Sequence, residues 1–143
     1  MADIAVTWPK KRSLSSYYAE LENAERLGLV INFKIPTMPQ QGFVVARCYM
    51  VHNGYVRCWN RVLNILERGP RDVKRIEGGF WSPGIYVVRS PARHELRHPV
   101  PMKGFQGYRY VNREEMGESR LSIMTPTARL ESAAFDQVFG PWK

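Results

Sequence analysis

Acidic residues are scarce in this chain: thirteen Asp and Glu stand against twenty-one Lys and Arg, a formal charge of +8. The adjacent acids Glu114-Glu115 would point to opposite faces of a strand, so paired-carboxylate or two-metal chemistry has little to draw on. Histidines number three, His52, His94 and His98. There is no G-x-S-x-G elbow, no H-E-x-x-H helix, no phosphate-binding Walker loop and no dinucleotide glycine fingerprint. These absences set aside the common hydrolase and nucleotide-cofactor classes. No apolar run approaches the roughly 20 residues that cross a bilayer. The early Asp3 interrupts an N-terminal apolar stretch too short for a secretory signal. The expected location is the cytoplasm, away from any membrane.

Cysteine is rare too, with only Cys48 and Cys58. They flank His52-Asn53-Gly54-Tyr55, whose Asn-Gly pair signals a two-residue hairpin turn. That register pairs His52 with Tyr55, Met50 with Arg57 and Cys48 with Trp59. Cys58 then stands opposite Tyr49, on the other face from Cys48, so the thiols point apart. A one-residue change in the loop would reverse this. Neither cysteine has a second ligand at zinc spacing, and no metal or cofactor is expected.

What the chain has is positive charge. Net charge bears on partners more than on fold, and a pI near 9.8 favours polyanions. RNA, single-stranded DNA or a nucleotide is the leading expectation. An acidic protein partner, or charge that serves solubility alone, stays open beside it.

The 143 residues suit one domain. Residues 1–12, ending in Pro9-Lys10-Lys11-Arg12, read as a basic arm. Ser13 is an N-cap, and Leu14, Tyr17, Tyr18, Leu21, Ala24 and Leu27 recur at helical steps, predicting a helix over 13–27 stopped by Gly28. Residues 29–111 read as a β core. Its strands are Leu29–Phe33, Phe43–Val51, Tyr55–Leu66, Ile85–Arg89 and a last core strand Phe105–Val111, with 91–104 an extended edge or loop. Residues 112–143 hold a polar stretch, a strand at 121–124 and a short helix begun by Pro126. Phe135, Phe139 and Trp142 there either pack on the domain or form a homodimer face.

Aromatics and cations interleave in two places. Gly79-Phe80-Trp81-Ser82-Pro83-Gly84 sets two large rings in a Gly/Pro-bounded loop. Lys103-Gly104-Phe105-Gln106-Gly107-Tyr108-Arg109-Tyr110 alternates rings and charge along a strand. Rings stack on bases at about 1–3 kcal/mol each, and cations neutralise phosphate. The plainer reading makes Phe105, Tyr108 and Tyr110 packing residues and the glycines bulges.

The order of these elements resembles the PUA-like superfamily that includes ASCH and EVE domains. The likeness lies in Tyr49-Met50-Val51-His52-Asn53-Gly54-Tyr55-Val56-Arg57, then Trp81–Val88, then Lys103–Tyr110. The last segment is also similar to one in uncharacterised phage and mobile-element proteins. The resemblance implies a small pseudobarrel of five to seven strands with a helix near each end, and association with RNA or modified bases. The G-x-K-x-x-E-x-R motif of many ASCH domains is absent, so no catalytic residue is carried over.

The expectation is therefore an α+β, mainly β chain that binds single-stranded nucleic acid or a nucleotide without catalysis. Trp81 and Tyr108 would stack, while Lys103, Arg109, Arg89 and Arg93 take phosphate. Lys10, Lys11, Arg12, His94 and His98 are secondary candidates. One rival is a phage-type inhibitor docking on a host protein. Another is a metal-independent ribonuclease using His94 or His98 with Arg93 and Arg97.

Overall fold

The computed structural model describes residues 2–40, 44–72, 74 and 78–117. Their elements are β1 (Ala2–Thr7), α1 (Leu14–Leu27), β2 (Ile31–Ile35), β3 (Val45–His52), β4 (Tyr55–Arg68), β5 (Gly84–Pro101) and β6 (Tyr108–Val111). All six strands join one sheet in the order β2-β5-β4-β3-β1-β6. The β1–β3 pair is parallel and the other pairs are antiparallel.

Local chemistry accounts for α1. Ser13 is extended (φ −71°, ψ 150°), and its Oγ accepts from Ser16 N at 3.1 Å, meeting one of the helix's orphan donors. Gly28 ends the helix in the left-handed region at φ 69°, where a side chain would be strained. Tyr17, Leu21 and Ala24 form the buried stripe. Tyr17 and Leu21 pack on one face of the sheet with Ile4, Val6, Cys48, Met50, Cys58 and Val87. The other face gathers Ala5, Tyr49, Val51, Val56, Leu96 and Met116.

The mainly β character is as expected, but the sheet is open, with β2 and β6 as its edges. The edges are nonetheless drawn together. After β2 the chain crosses to β6, where Gln40 N donates to Tyr110 Oη at 2.8 Å. The Thr37 and Tyr108 hydroxyls lie 3.4 Å apart.

Residues 2–7 are no arm. As β1 they insert between β3 and β6, and Ile4, Ala5 and Val6 are fully buried. A strand covered on both faces shows no polar alternation, so its short apolar run carries no signature of its own. Only Pro9, Lys10, Lys11 and Arg12 form an exposed turn. The stretch 91–104 is strand as far as Pro101, extending β5 along β4. Register shifts leave 90–92 and 96–99 bulged, and Pro91 and Pro99 fall there, where no ladder donor is needed. The segment Phe105–Val111 is a short edge strand, with β6 confined to 108–111.

The hairpin turn forms as expected, with Asn53 at φ 51° and Gly54 at φ 83°, and His52 pairs with Tyr55. One step further Arg57 bulges out: Val51 pairs with Val56, Met50 with Cys58 and Cys48 with Asn60. The extra residue turns Cys58 onto the face that holds Cys48, beneath α1, overturning the expected opposition. Both thiols are buried and free. The expected strand at 121–124, the C-terminal helix and the aromatic trio Phe135, Phe139 and Trp142 lie outside the described residues. No helix among the described residues is long and apolar enough to cross a membrane.

Candidate nucleic-acid interface

A cleft opens where the two sheet edges approach. One wall is the end of β1 and the start of the turn after it, Thr7 and Pro9. Next to it, bonded to Thr7, lies the bend Phe105-Gln106-Gly107, and Phe33 and Lys34 of β2 with the following Pro36 supply the third side. The volume is about 660 Å³, within the usual range for small-ligand sites.

Each wall is fixed by hydrogen bonds and close approach. Phe105 N donates to Thr7 Oγ1 at 3.1 Å, and Met102 N donates to the Gly54 carbonyl at 2.9 Å. Trp8 N donates to the Val51 carbonyl at 2.8 Å, carrying the ladder past β1. The Trp8 ring lies 4.6 Å from that of Tyr17, so the chain leaves the sheet at Pro9 toward α1. At Gly107 the backbone has φ 75°, and an added Cβ would sit 3.2 Å from Pro36 Cγ. This glycine lets the β2 and β6 edges meet.

No residue lining the cleft is acidic. Lys34 Nζ donates to Ser82 Oγ at 3.0 Å, which ties the 80–84 loop to the cleft wall. The Arg109 guanidinium stands 5.3 Å from the Phe105 ring centroid, within cation–π range. Lys103 is exposed two residues before Phe105, and Lys10, Lys11 and Arg12 come directly after Pro9. The Phe105 ring with the Arg109 guanidinium beside it offers a planar, anionic ligand both stacking and charge.

Of the cations expected from sequence, Arg109 stands beside the cleft residue Phe105. Lys103 and the Lys10–Arg12 turn are exposed and precede or follow cleft residues along the chain, and the Arg12 guanidinium lies 5.2 Å from the Trp8 ring centroid. Trp81 is exposed in the 80–84 loop, one residue from the serine that holds Lys34. Tyr108 is half-buried against the core beneath α1, its ring edge-on to Tyr110 at 5.8 Å. That is the packing role weighed from sequence.

Arg89 departs most from expectation. It is 2% exposed, and its Nη1 donates to Tyr17 Oη at 2.9 Å. Tyr17 Oη in turn donates to Asn60 Oδ1 at 3.3 Å, and Asn60 Nδ2 donates to the Ser90 and Ala92 carbonyls. Such a guanidinium supports the core and is out of reach of a surface phosphate. Arg93 is committed as well, 3.0 Å from Glu22 and 3.7 Å from Glu95, with its guanidinium 4.1 Å from the Tyr18 ring centroid. His94 is 5% exposed and stacked on Trp59 at 3.9 Å, on the face away from α1. His98 is exposed in the β5 bulge. One ring is enclosed and the other solvated, and Arg93, the expected partner of either, is paired with Glu22 and Glu95.

Sequence reasoning missed Phe33, Lys34 and Thr7. Phe33-Lys34 reads as ordinary strand alternation, and its one distinguishing signal is the prolines at 36 and 39 that carry the chain off the edge. Comparison with protein-family models, characterised proteins and solved structures finds no match to this chain.

Proposed function

We propose that the cleft receives a nucleotide, and that the protein is a non-enzymatic binding module for single-stranded nucleic acid or a nucleotide. The observation that carries this reading is one acid-free cleft of about 660 Å³ lined by Phe105, Gln106, Thr7 and Lys34, with Phe33 lining it while packed partly on the core beneath α1. The Phe105 ring supplies stacking surface, Lys34 the phosphate contact, and Thr7 and Gln106 hydrogen-bonding groups for base or sugar edges. A charge of +8 adds long-range attraction for any polyanion. The PUA-like pseudobarrel belongs to the same proposal, and the crossing of 36–40 onto β6 supports it.

The test is binding of labelled single-stranded RNA, single-stranded DNA and mononucleotides across a salt series. Affinity should fall steeply as salt rises, because bound phosphates release counterions. Phe105→Ala and Lys34→Gln should each weaken binding while the fold persists. A protein that binds none of these ligands, or that purifies with an acidic protein and no nucleic acid, removes the proposal.

A further inference from the structure

Three segments meet at the end of the sheet where β1 and β3 finish. They are the turn 9–12, the β3–β4 hairpin tip 52–57 and the stretch 102–106. His52 Nε2 donates to the Arg12 carbonyl at 2.7 Å, joining the first two. Met102 N donates to the Gly54 carbonyl, joining the hairpin to the third. Together they carry Lys10, Lys11, Arg12, Arg57 and Lys103, and no acid. The tip also presents a ring: Tyr55 is 43% exposed, with the Arg57 guanidinium 5.0 Å from its centroid. Arg57 is held there by its Nε, which donates to the His52 carbonyl at 3.2 Å. The bulge at Arg57 sets this pose, since regular pairing would place Arg57 in the ladder opposite Met50.

We infer that the Tyr55–Arg57 tip is a second nucleotide subsite, so that the ligand is a single-stranded chain several nucleotides long and not a mononucleotide. This rests on the cleft reading above. Thr7 pairs with Val51, and Val51 with Val56, so the strand bearing Tyr55 lies two strands from the cleft wall. At about 4.8 Å per strand, that separation is about 10 Å. A stacked strand rises about 3.4 Å per nucleotide, so about three nucleotides bridge the gap. The Lys10–Arg12 turn lies beside that path and supplies charge to the intervening phosphates.

The experiment compares a mononucleotide, a trinucleotide and a hexanucleotide of one base by titration at fixed low salt. Affinity should rise by about tenfold or more from the first to the last, the gain of one further stacked base. Tyr55→Leu, which keeps apolar bulk at the tip, and Arg57→Gln should remove that gain and leave mononucleotide affinity unchanged. Length-independent affinity, or a length gain untouched by both variants, overturns the second subsite while the cleft stands. Absence of binding at every length takes the cleft reading down with it.

Discussion

The Arg89 guanidinium donates to the Tyr17 hydroxyl at 2.9 Å inside the core, tying β5 to α1 through a charge–hydroxyl hydrogen bond. Tyr17 serves as acceptor for Arg89 and donor to Asn60, so it closes a chain of buried polar groups. Tyr17→Phe leaves the guanidinium without that acceptor and should cost about 2–3 kcal/mol. Arg89→Met, which removes the charge and fills similar volume, should cost less or even stabilise. Urea unfolding of both variants checks this ordering. A Tyr17→Phe protein as stable as the parent would show that the bond contributes nothing.

The two thiols lie in the same helix-covered core. Burial pushes the Cys58 thiol up to about 12, with Arg89 pulling less strongly in the other direction, and burial likewise raises Cys48. Burial also raises the Tyr17 hydroxyl above its ordinary value. A raised pKa means that the folded chain holds its proton while the unfolded chain has released it. The stabilising contribution is full below about pH 9 and is lost as pH climbs toward 12. In that window the Cys58 thiol should lower stability progressively as pH rises. Replacing both with Ala should flatten the alkaline limb of a denaturation series. At pH 8 a thiol reagent should label neither cysteine until denaturant is added, and rapid labelling of the native protein would contradict their burial.

Gly107 is where the two sheet edges touch, and its φ of 75° excludes most side chains. Gly107→Ala should lose about 1–2 kcal/mol to left-handed strain alone. The new methyl would also press on Pro36 and displace the third wall of the cleft. Mononucleotide affinity should fall more than stability explains, whereas Gly28→Ala at the helix stop, also at a left-handed φ, should affect stability alone. Equal effects of both variants on mononucleotide binding would detach Gly107 from the cleft.

Much of this architecture can be read locally. Ser13 and Gly28 bracket α1 because a cap and a left-handed stop are properties of single residues and their neighbours. Asn53-Gly54 sets the hairpin for the same reason. What escaped is non-local. β1 acquires its place by pairing with β3 and β6, both distant in sequence, and no nearby residue encodes those pairings. Arg57 bulges without a glycine to announce it, and that one residue reverses the faces of Cys58 and Trp59. Arg89 reads as a surface cation because charge is the strongest cue for exposure. Its burial depends on Tyr17, brought over by α1 from seventy-two positions earlier. In the candidate site, Lys103, Arg109 and the Lys10–Arg12 turn were legible as basic residues near rings. Phe33 and Lys34 join them only once β2 is folded over toward β6.

Lys34, found only in the folded cleft, and Arg93, expected from sequence to take phosphate, should therefore separate in a salt titration. Lys34 lines the cleft with its ammonium on a neutral serine hydroxyl, whereas Arg93 is paired with Glu22 and Glu95. Lys34→Gln should reduce the slope of log K against log salt by about 0.7, the share of one phosphate contact on a single strand. Arg93→Gln should leave that slope and the affinity alone. It should instead loosen the docking of α1 on β5, by no more than about 1 kcal/mol because the pair is partly solvated. Circular dichroism melts alongside the titration distinguish the two effects. A slope lowered by Arg93→Gln would mean that the guanidinium leaves Glu22 to bind phosphate, and the division of labour drawn from these ion pairs would be wrong.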